Sequence, residues 1–214
     1  MKHVLFSIVG FGLVQVLTCQ GATSPFKTHG FTGNGAFQVT TAGAADLEVS
    51  TNLQTWTKLA TVAQEMTLDD VGSRQSEWRF YRNRAGATNS PIIGYIKVTL
   101  PPGKMAILGN CFDRPLRLDS ADGRMSVFGA VNPTVKVSLY TNGNFTASTA
   151  DPSSGNWTPA LRPIAYREGF SVENIGAKPI TLRLHGEVRA GQMNMNSPAG
   201  PSLVVSPVPL MGDV

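Results

Sequence analysis

Val135-Lys136-Val137-Ser138-Leu139-Tyr140, followed after one threonine by Asn142-Gly143, carries the strongest structural signal in the chain. Apolar and polar side chains alternate along it, which is the two-residue period of a β-strand with one buried and one solvated face. Asn-Gly is the dipeptide that a tight hairpin turn favours. The stretch therefore predicts an antiparallel hairpin.

Similar patterns recur on both sides of this hairpin, with turn residues between them. They predict strands at residues 36–41, 46–51, 56–62 (with a bulge), 77–84, 92–100, 105–108, 116–118, 125–128, 169–173, 180–184 and 203–206. Asp122-Gly123 is predicted as a hairpin turn, and residues 62–71 fit either a short helical turn or a loop. Many short strands separated by turns indicate an all-β protein built as an antiparallel sandwich or barrel.

The chain divides at Ala85-Gly86-Ala87-Thr88-Asn89-Ser90-Pro91, whose small and polar residues are typical of a linker. We expect a small N-terminal antiparallel β-sandwich of the fibronectin or immunoglobulin type at residues 30–86. A second, larger β-sandwich or barrel-like module is expected at residues 91–212.

Residues 1–22 have the layout of a secretory signal peptide: a basic start, an apolar run and a small, polar end. The apolar run is shorter than the roughly 20 residues that a membrane-spanning helix needs, so no transmembrane segment is expected after cleavage. Val16-Leu17-Thr18-Cys19 loosely resembles a lipobox, although Thr18 departs from the pattern. Cleavage after Gly21 or Ala22 is the favoured alternative to a lipid anchor on Cys19. The protein is predicted to be exported, to the periplasm, the cell surface or the medium.

The composition suits an extracellular β-protein. Charged residues make up 15% of the chain, and the formal net charge is +4. This excess is too small and scattered to predict a nucleic-acid partner. Cys111 is predicted to be a small buried hydrophobe, since free cysteine is among the most buried residue types.

The run from Leu47 to Ala60 contains Glu48-x-Ser-Thr-Asn-Leu-x-x-Trp56, and Arg79-Phe80-Tyr81-Arg82 follows some way downstream. Together they resemble small β-sandwich modules of exported proteins in Verrucomicrobia-like and Planctomycetes-like bacteria. Here Trp56 is expected to plug the core, faced by Phe80 or Tyr81 from a partner strand.

The second half resembles another exported module of the same bacteria. The resemblance rests on residues 94–103, 155–157, 167–174, 186–191 and 202–209, which follow that module's order. Neither resemblance implies catalytic residues. Because such modules often belong to longer proteins, a truncated gene or a lost partner region is one alternative for this chain.

No motif for nucleophilic or metal-dependent catalysis occurs, and no cofactor is predicted. His29 is expected in a flexible start, and His185 is expected to be a solvated or capping residue at a strand end. A hydrolase would require a pocket that joins His185 to a nucleophile and a carboxylate. Asp69-Asp70 and the segment 119–123 offer carboxylates to a calcium ion, but turn chemistry explains Asp122-Gly123 without a metal.

Aromatic residues give the most specific ligand hypothesis. Trp157, Tyr140, Phe145 and Tyr166 lie in or near a loop-rich region with many Asn, Ser and Thr residues, and such rings can stack on sugars. The alternative is that Trp157 anchors the core or a loop. Arg79, Arg82 and Arg84 could meet an anionic glycan, although the wet face of a strand at a sheet edge is the favoured interpretation.

The sequence therefore predicts a non-catalytic exported protein with a structural or adhesive role at the cell surface or in the periplasm. The alternative is a carbohydrate-binding module associated with glycan degradation, with Trp157, Tyr140 and Tyr166 as candidate ligand contacts. The expected partners are surface glycans or other exported proteins.

Overall fold

A computed structural model describes residues 26–141 and 144–188 of this 214-residue chain. The predicted signal peptide with Cys19, the turn at 142–143 and the strand at 203–206 lie outside the described residues. In chain order the strands are β1 (Phe26–Phe31), β2 (Phe37–Thr41), β3 (Ala45–Ser50), β4 (Thr57–Val62), β5 (Met66–Asp70), β6 (Trp78–Ala85), β7 (Thr88–Asn89), β8 (Ile92–Leu100), β9 (Met105–Gly109), β10 (Val135–Thr141), β11 (Asn144–Ala150), β12 (Trp157–Thr158), β13 (Gly169–Asn174) and β14 (Ile180–Val188).

These strands form three antiparallel sheets, which confirms the prediction of an all-β sandwich. The three-stranded sheet has the order β1-β2-β5, and the five-stranded sheet has the order β12-β11-β10-β13-β9. The six-stranded sheet has the order β14-β8-β6-β3-β4, with β7 paired to β6. The hairpin predicted from residues 135–143 is the pair β10–β11, in which Thr141 lies opposite Asn144.

The six-stranded sheet lies between the other two sheets. Successive side chains of a strand point to opposite faces, and the adjacent residues Phe80 and Tyr81 of β6 are both fully buried. Phe80 belongs to a core shared with β10 and β13, whereas Tyr81 belongs to a core shared with β1 and β2. The sequence predicted one buried face for this strand, and the structure gives it two.

The predicted boundary at residues 85–91 lies inside the six-stranded sheet. β6 and β8 flank this segment and pair directly, for example Phe80 with Gly94, and β7 within it pairs with the end of β6. Strands from both predicted modules, 30–86 and 91–212, therefore share one sheet. This pairing also places β6 in the interior of the sheet, so the prediction that its arginines guard a sheet edge is wrong.

The predicted strand at 125–128 is wrong, because residues Ala121–Phe128 form the helix α1. Ser120 caps its first turn by accepting a hydrogen bond from Gly123 N (3.1 Å), and Gly129 ends it in the left-handed conformation. Asp122-Gly123 thus lies in a helical turn rather than in a hairpin. A Cβ on Gly123 would lie 1.7 Å from the Arg117 carbonyl oxygen, so the close approach of this helix to the preceding loop requires glycine.

Two further segments differ from expectation. Residues 62–71 hold β5, and a short 3-10 helix (Val71–Gln75) follows it, capped by Asp70. Residues 116–118 contribute only an isolated bridge from Leu116 to Ile164. The predicted bulge in β4 is confirmed, because Leu47 pairs with Ala60 and Glu48 with Lys58, which leaves Leu59 unpaired.

Cys111 is buried, as predicted, and burial raises the pKa of its thiol to about 12. Within the described ranges, no helix is both long and apolar enough to cross a bilayer.

Candidate functional site: two arginine-lined clefts beside a histidine pair

Trp157, the leading candidate for a sugar platform, is a core residue. It is 8% exposed, and its indole N–H donates a 2.7 Å hydrogen bond to the Leu118 carbonyl oxygen. It lies in the core between the six-stranded and five-stranded sheets. This position agrees with the alternative interpretation from the sequence, in which Trp157 anchors the core.

Tyr140 and Tyr166 are half-buried and occupy different elements. Tyr140 ends β10 and packs edge-to-face against Phe145 of β11, with ring centroids 4.9 Å apart. Phe145 is 55% exposed, so this pair presents an aromatic surface. Tyr166 lies in the loop before β13, under the Arg167 guanidinium, whose carbon lies 5.8 Å from the ring centroid.

Each of the three arginines of β6 lies beside a carboxylate, so they do not form one unpaired basic strip. Arg79 binds Asp70, with Nη1 2.8 Å from Oδ2, and Tyr81 donates to the same oxygen at 2.7 Å. Arg82 binds Glu48 at 2.7 Å and stacks over Trp56, which is half-buried beside the core rather than inside it. Arg84 lies 3.6 Å from Glu48.

Asp70 and Asp119, two of the candidate calcium ligands, have other partners. Asp70 caps the 3-10 helix and pairs with Arg79, and Asp119 pairs with Arg117. Among the residues that the structure describes, no group of three or more His, Cys, Asp or Glu side chains is arranged to hold a metal ion.

The polar cluster that the sequence did not predict is centred on His185. This residue lies within β14 and is 8% exposed, so its predicted position as a solvated residue at a strand end is wrong. Its Nδ1 is 3.2 Å from Nδ1 of His29, which lies on β1 of the three-stranded sheet rather than in a flexible start. The Nη2 atom of Arg114 is 2.9 Å from Nδ1 of His185, 3.2 Å from Nε2 of the same ring and 3.1 Å from the His185 carbonyl oxygen.

Burial and the neighbouring guanidinium keep both imidazoles neutral. Desolvation, followed by the charge of Arg114, lowers the pKa of His185 to about 3 and that of His29 to about 4. The ordinary value is 6.5 for both. Protonation of His29 or His185 would place a second positive charge beside Arg114. The four side chains of this cluster (His29, Arg114, Ser126 and His185) include no carboxylate to balance it.

Ser126 of α1 brings a hydroxyl to the other side of the His185 ring, where Oγ lies 3.2 Å from Nε2. A guanidinium only donates hydrogen bonds, so the His185 ring nitrogen that faces Arg114 acts as an acceptor. In a Ser-His-carboxylate triad, Nε2 accepts the serine proton and a carboxylate faces Nδ1. Here the guanidinium of Arg114, rather than a carboxylate, lies beside Nδ1.

This cluster forms one wall of an open cleft of about 310 Å³, which we call the His185 cleft. Arg114, Arg117 and Arg183 line it, together with the exposed side of α1. A second cleft of about 360 Å³, the Lys97 cleft, contains Arg74, Lys97 and again Arg183. Burial, followed by the charges of Arg183 and Arg79, lowers the pKa of Lys97, so its ammonium already lies in a positive environment.

No protein-family model matches the chain, and neither the curated proteins nor the solved structures include a significant match. The resemblance to exported bacterial modules therefore stays a prediction.

Sequence reasoning missed this site because its parts are far apart along the chain. His29 and His185 are separated by 156 positions. Arg114 lies in a loop, and Ser126 lies in the helix that was predicted as a strand. The one local signal was the alternation of Thr181, Arg183 and His185 along β14, which places these three polar side chains on the same face of the strand.

Proposed function

We propose that this chain is a non-catalytic exported β-protein with a structural or adhesive role at the cell surface or in the periplasm. The observation that supports it best is the contact of Arg114 with His185. A neutral histidine that accepts a hydrogen bond from a guanidinium and contacts a serine hydroxyl holds its neighbours in place. It is poorly arranged to remove a proton from Ser126, because the imidazolium formed would face the positive charge of Arg114.

The test of the non-catalytic role compares the full chain with Ser126→Ala on chromogenic ester, amide and glycoside substrates. We expect no turnover that depends on Ser126. Turnover that Ser126→Ala abolishes, with an unchanged circular dichroism spectrum, would establish a hydrolase instead.

Retention of labelled full-length protein on intact cells of the source organism tests adhesion, and a loss of retention after the surface polymers are stripped identifies the anchoring layer.

The second candidate function is carbohydrate binding, which Tyr140 and Phe145 support. Their edge-to-face pair leaves a partly exposed ring on the five-stranded sheet, and exposed aromatic faces stack on sugar rings. Trp157 would contribute to this role only through the core that it anchors.

A glycan array probed with the full chain and with Phe145→Ala tests this candidate. Ile107→Ala is the matched control, because Ile107 is an apolar residue of the same sheet and is 57% exposed. Binding that is lost only in Phe145→Ala would support the sugar platform. Binding that both variants keep would exclude it.

A further inference from the structure

The two clefts share one side chain. Arg183 of β14 lines both the His185 cleft and the Lys97 cleft, so the clefts lie on either side of its guanidinium. Pairing of Arg183 with Lys97 places the two basic residues opposite each other on adjacent strands. We call the surface formed by both clefts the Arg183 groove.

Positive charge is concentrated in this groove. Its lining includes five basic residues (Arg74, Lys97, Arg114, Arg117 and Arg183) and two acidic ones (Glu77 and Asp122). Arg117 is also paired with Asp119, which lies outside the lining, so the groove carries an excess of two positive charges against a net charge of +4 for the entire chain. A cleft with one sign of charge raises the local concentration of ligands of the opposite sign.

Arg183 itself lacks a compensating anion. Its side chain is half-buried, with the guanidinium carbon 5.5 Å from the centroid of the Phe31 ring. A Cβ built on Gly129 would lie 3.6 Å from its Nη1 and one built on Gly35 3.9 Å from its Nη2, so the guanidinium lies between α1 and the β1–β2 turn. Within the described part of the chain, no carboxylate pairs with it. A partly desolvated charge is costly unless an opposite charge reaches it.

The remaining lining favours a sugar polymer over a nucleic acid. Hydroxyl and amide groups of Asn34, Gln75, Ser76, Thr99 and Thr181 line the Lys97 cleft and can exchange hydrogen bonds with sugar hydroxyls. Neither cleft is lined by a Phe, Tyr or Trp side chain, the kind on which unpaired bases stack.

We propose that the Arg183 groove binds an acidic polysaccharide, with carboxylate or sulfate groups held by Arg183 and its basic neighbours. This assignment rests on the proposed carbohydrate-binding function. It names the class of sugar and places its binding site in the Arg183 groove rather than at the Tyr140–Phe145 pair. The guanidinium of Arg183 can hold a carboxylate or sulfate through two parallel hydrogen bonds.

The experiment titrates the full chain with polygalacturonate, dextran sulfate, neutral dextran and single-stranded DNA of matched charge. We expect either or both acidic polysaccharides to bind, more weakly as salt rises, and neutral dextran not to bind. Binding of polygalacturonate alone would identify carboxylate as the recognised group, and binding of dextran sulfate alone would identify sulfate. Arg183→Gln should weaken binding about tenfold, because it removes a charge-assisted hydrogen bond.

Lys178→Gln is the matched control, since Lys178 is exposed, lies outside both clefts and carries the same charge. We expect its affinity to match that of the unmodified chain. If Arg183→Gln loses its circular dichroism spectrum, the exposed Arg74→Gln replaces it and should weaken binding severalfold.

Equal losses in Arg183→Gln and Lys178→Gln would overturn the site, because binding would then depend only on total charge. Single-stranded DNA that binds as well as the polysaccharides would overturn the ligand class. Failure of every polyanion to bind would overturn the inference. In that case, glycan binding lost in Phe145→Ala, or retention on cells, would still leave the proposed function standing.

Discussion

His185 is buried and His29 is half-buried in the folded chain, and both are neutral there, in surroundings that the unfolded chain does not offer. Their ring nitrogens meet between β1 and β14, beside Arg114, and there the pKa values fall to about 4 and 3. The pair therefore connects the three-stranded and six-stranded sheets as two neutral rings, and protonation of either ring would place a second positive charge beside Arg114.

Acidification should weaken this contact between the two sheets at a higher pH than the pH at which most carboxylates become protonated. Above pH 6.5 both histidines are neutral in the folded and unfolded chains, so they add no pH dependence. As the pH falls below 6.5, the unfolded chain takes up protons that the folded chain refuses, and the free energy of unfolding decreases. The expected slope is on the order of 1 kcal/mol per pH unit for each histidine, and it persists until the pH reaches the folded-state values.

Urea unfolding of the full chain at pH 7, 6 and 5 measures this slope. In His185→Gln the slope should be visibly smaller, whatever the stability of that variant at pH 7. An unchanged slope in His185→Gln would show that other groups cause the acid sensitivity.

The role of a residue was predictable from the sequence where its residue type alone determines that role. Cys111 was predicted to be buried because free cysteine is usually buried, and it is. Trp157 was assigned to a ligand or to the core, and no local pattern separates these alternatives. His185 was misjudged because its partners come from β1, α1 and the loop at Arg114, and no short stretch of sequence contains two of them.

At the scale of elements, strand pairing depends on a few close backbone approaches. β6 and β8 pair across Phe80 and Gly94, and a Cβ on Gly94 would lie 2.5 Å from Phe80 Cδ1 and 2.7 Å from the Arg79 carbonyl oxygen. Phe80 is fully buried, so any shift of its ring displaces neighbouring core residues.

Gly94→Ala should therefore destabilise the protein by about 1–3 kcal/mol, the usual range for overpacking in a core. Chemical denaturation measures the change. Gly43→Ala is the control, because a Cβ on Gly43 would have no atom within 4 Å. Comparable stability of the two variants would mean that β6 and β8 separate without cost at this position.

Most strands were predictable because alternating apolar residues define them locally. The helix α1 was not, because its buried residues are Arg124 and Val127 while Met125 is exposed, so no apolar stripe marks it. Its capping residue, Ser120, and the fit of Gly123 against the Arg117 carbonyl oxygen determine the local fold, and neither contact leaves a periodic apolar pattern in the sequence.

At the scale of the whole molecule, the six-stranded sheet unites the two halves of the chain. It buries both faces, and its order β14-β8-β6-β3-β4 crosses the segment that the sequence predicted as a linker. The predicted division into residues 30–86 and 91–212 rests on the composition of the segment between them. Small and polar residues are typical of both turns and linkers, so composition does not distinguish the two.

Neither half should fold alone. A fragment of residues 23–86 would expose the β8-facing edge of β6 and lose Ile93 and Tyr95 from the core around Tyr81, and a fragment of residues 91–214 would lose Phe80 from the other core. Far-UV circular dichroism of each fragment should show an unfolded chain, and mixing the two should restore some β-structure. A cooperative melt of either fragment alone would establish an independent domain.

The strand order also has a consequence for how the chain acquires its structure during synthesis. β14 is the last described strand and pairs along its entire length with β8, which leaves the ribosome some 80 residues earlier. The central layer stays incomplete, with apolar surface of β8 uncovered, until Val188 has emerged. Such a polypeptide completes its central sheet only late in its synthesis, and until then the apolar side chains of β8 are available to other apolar surfaces.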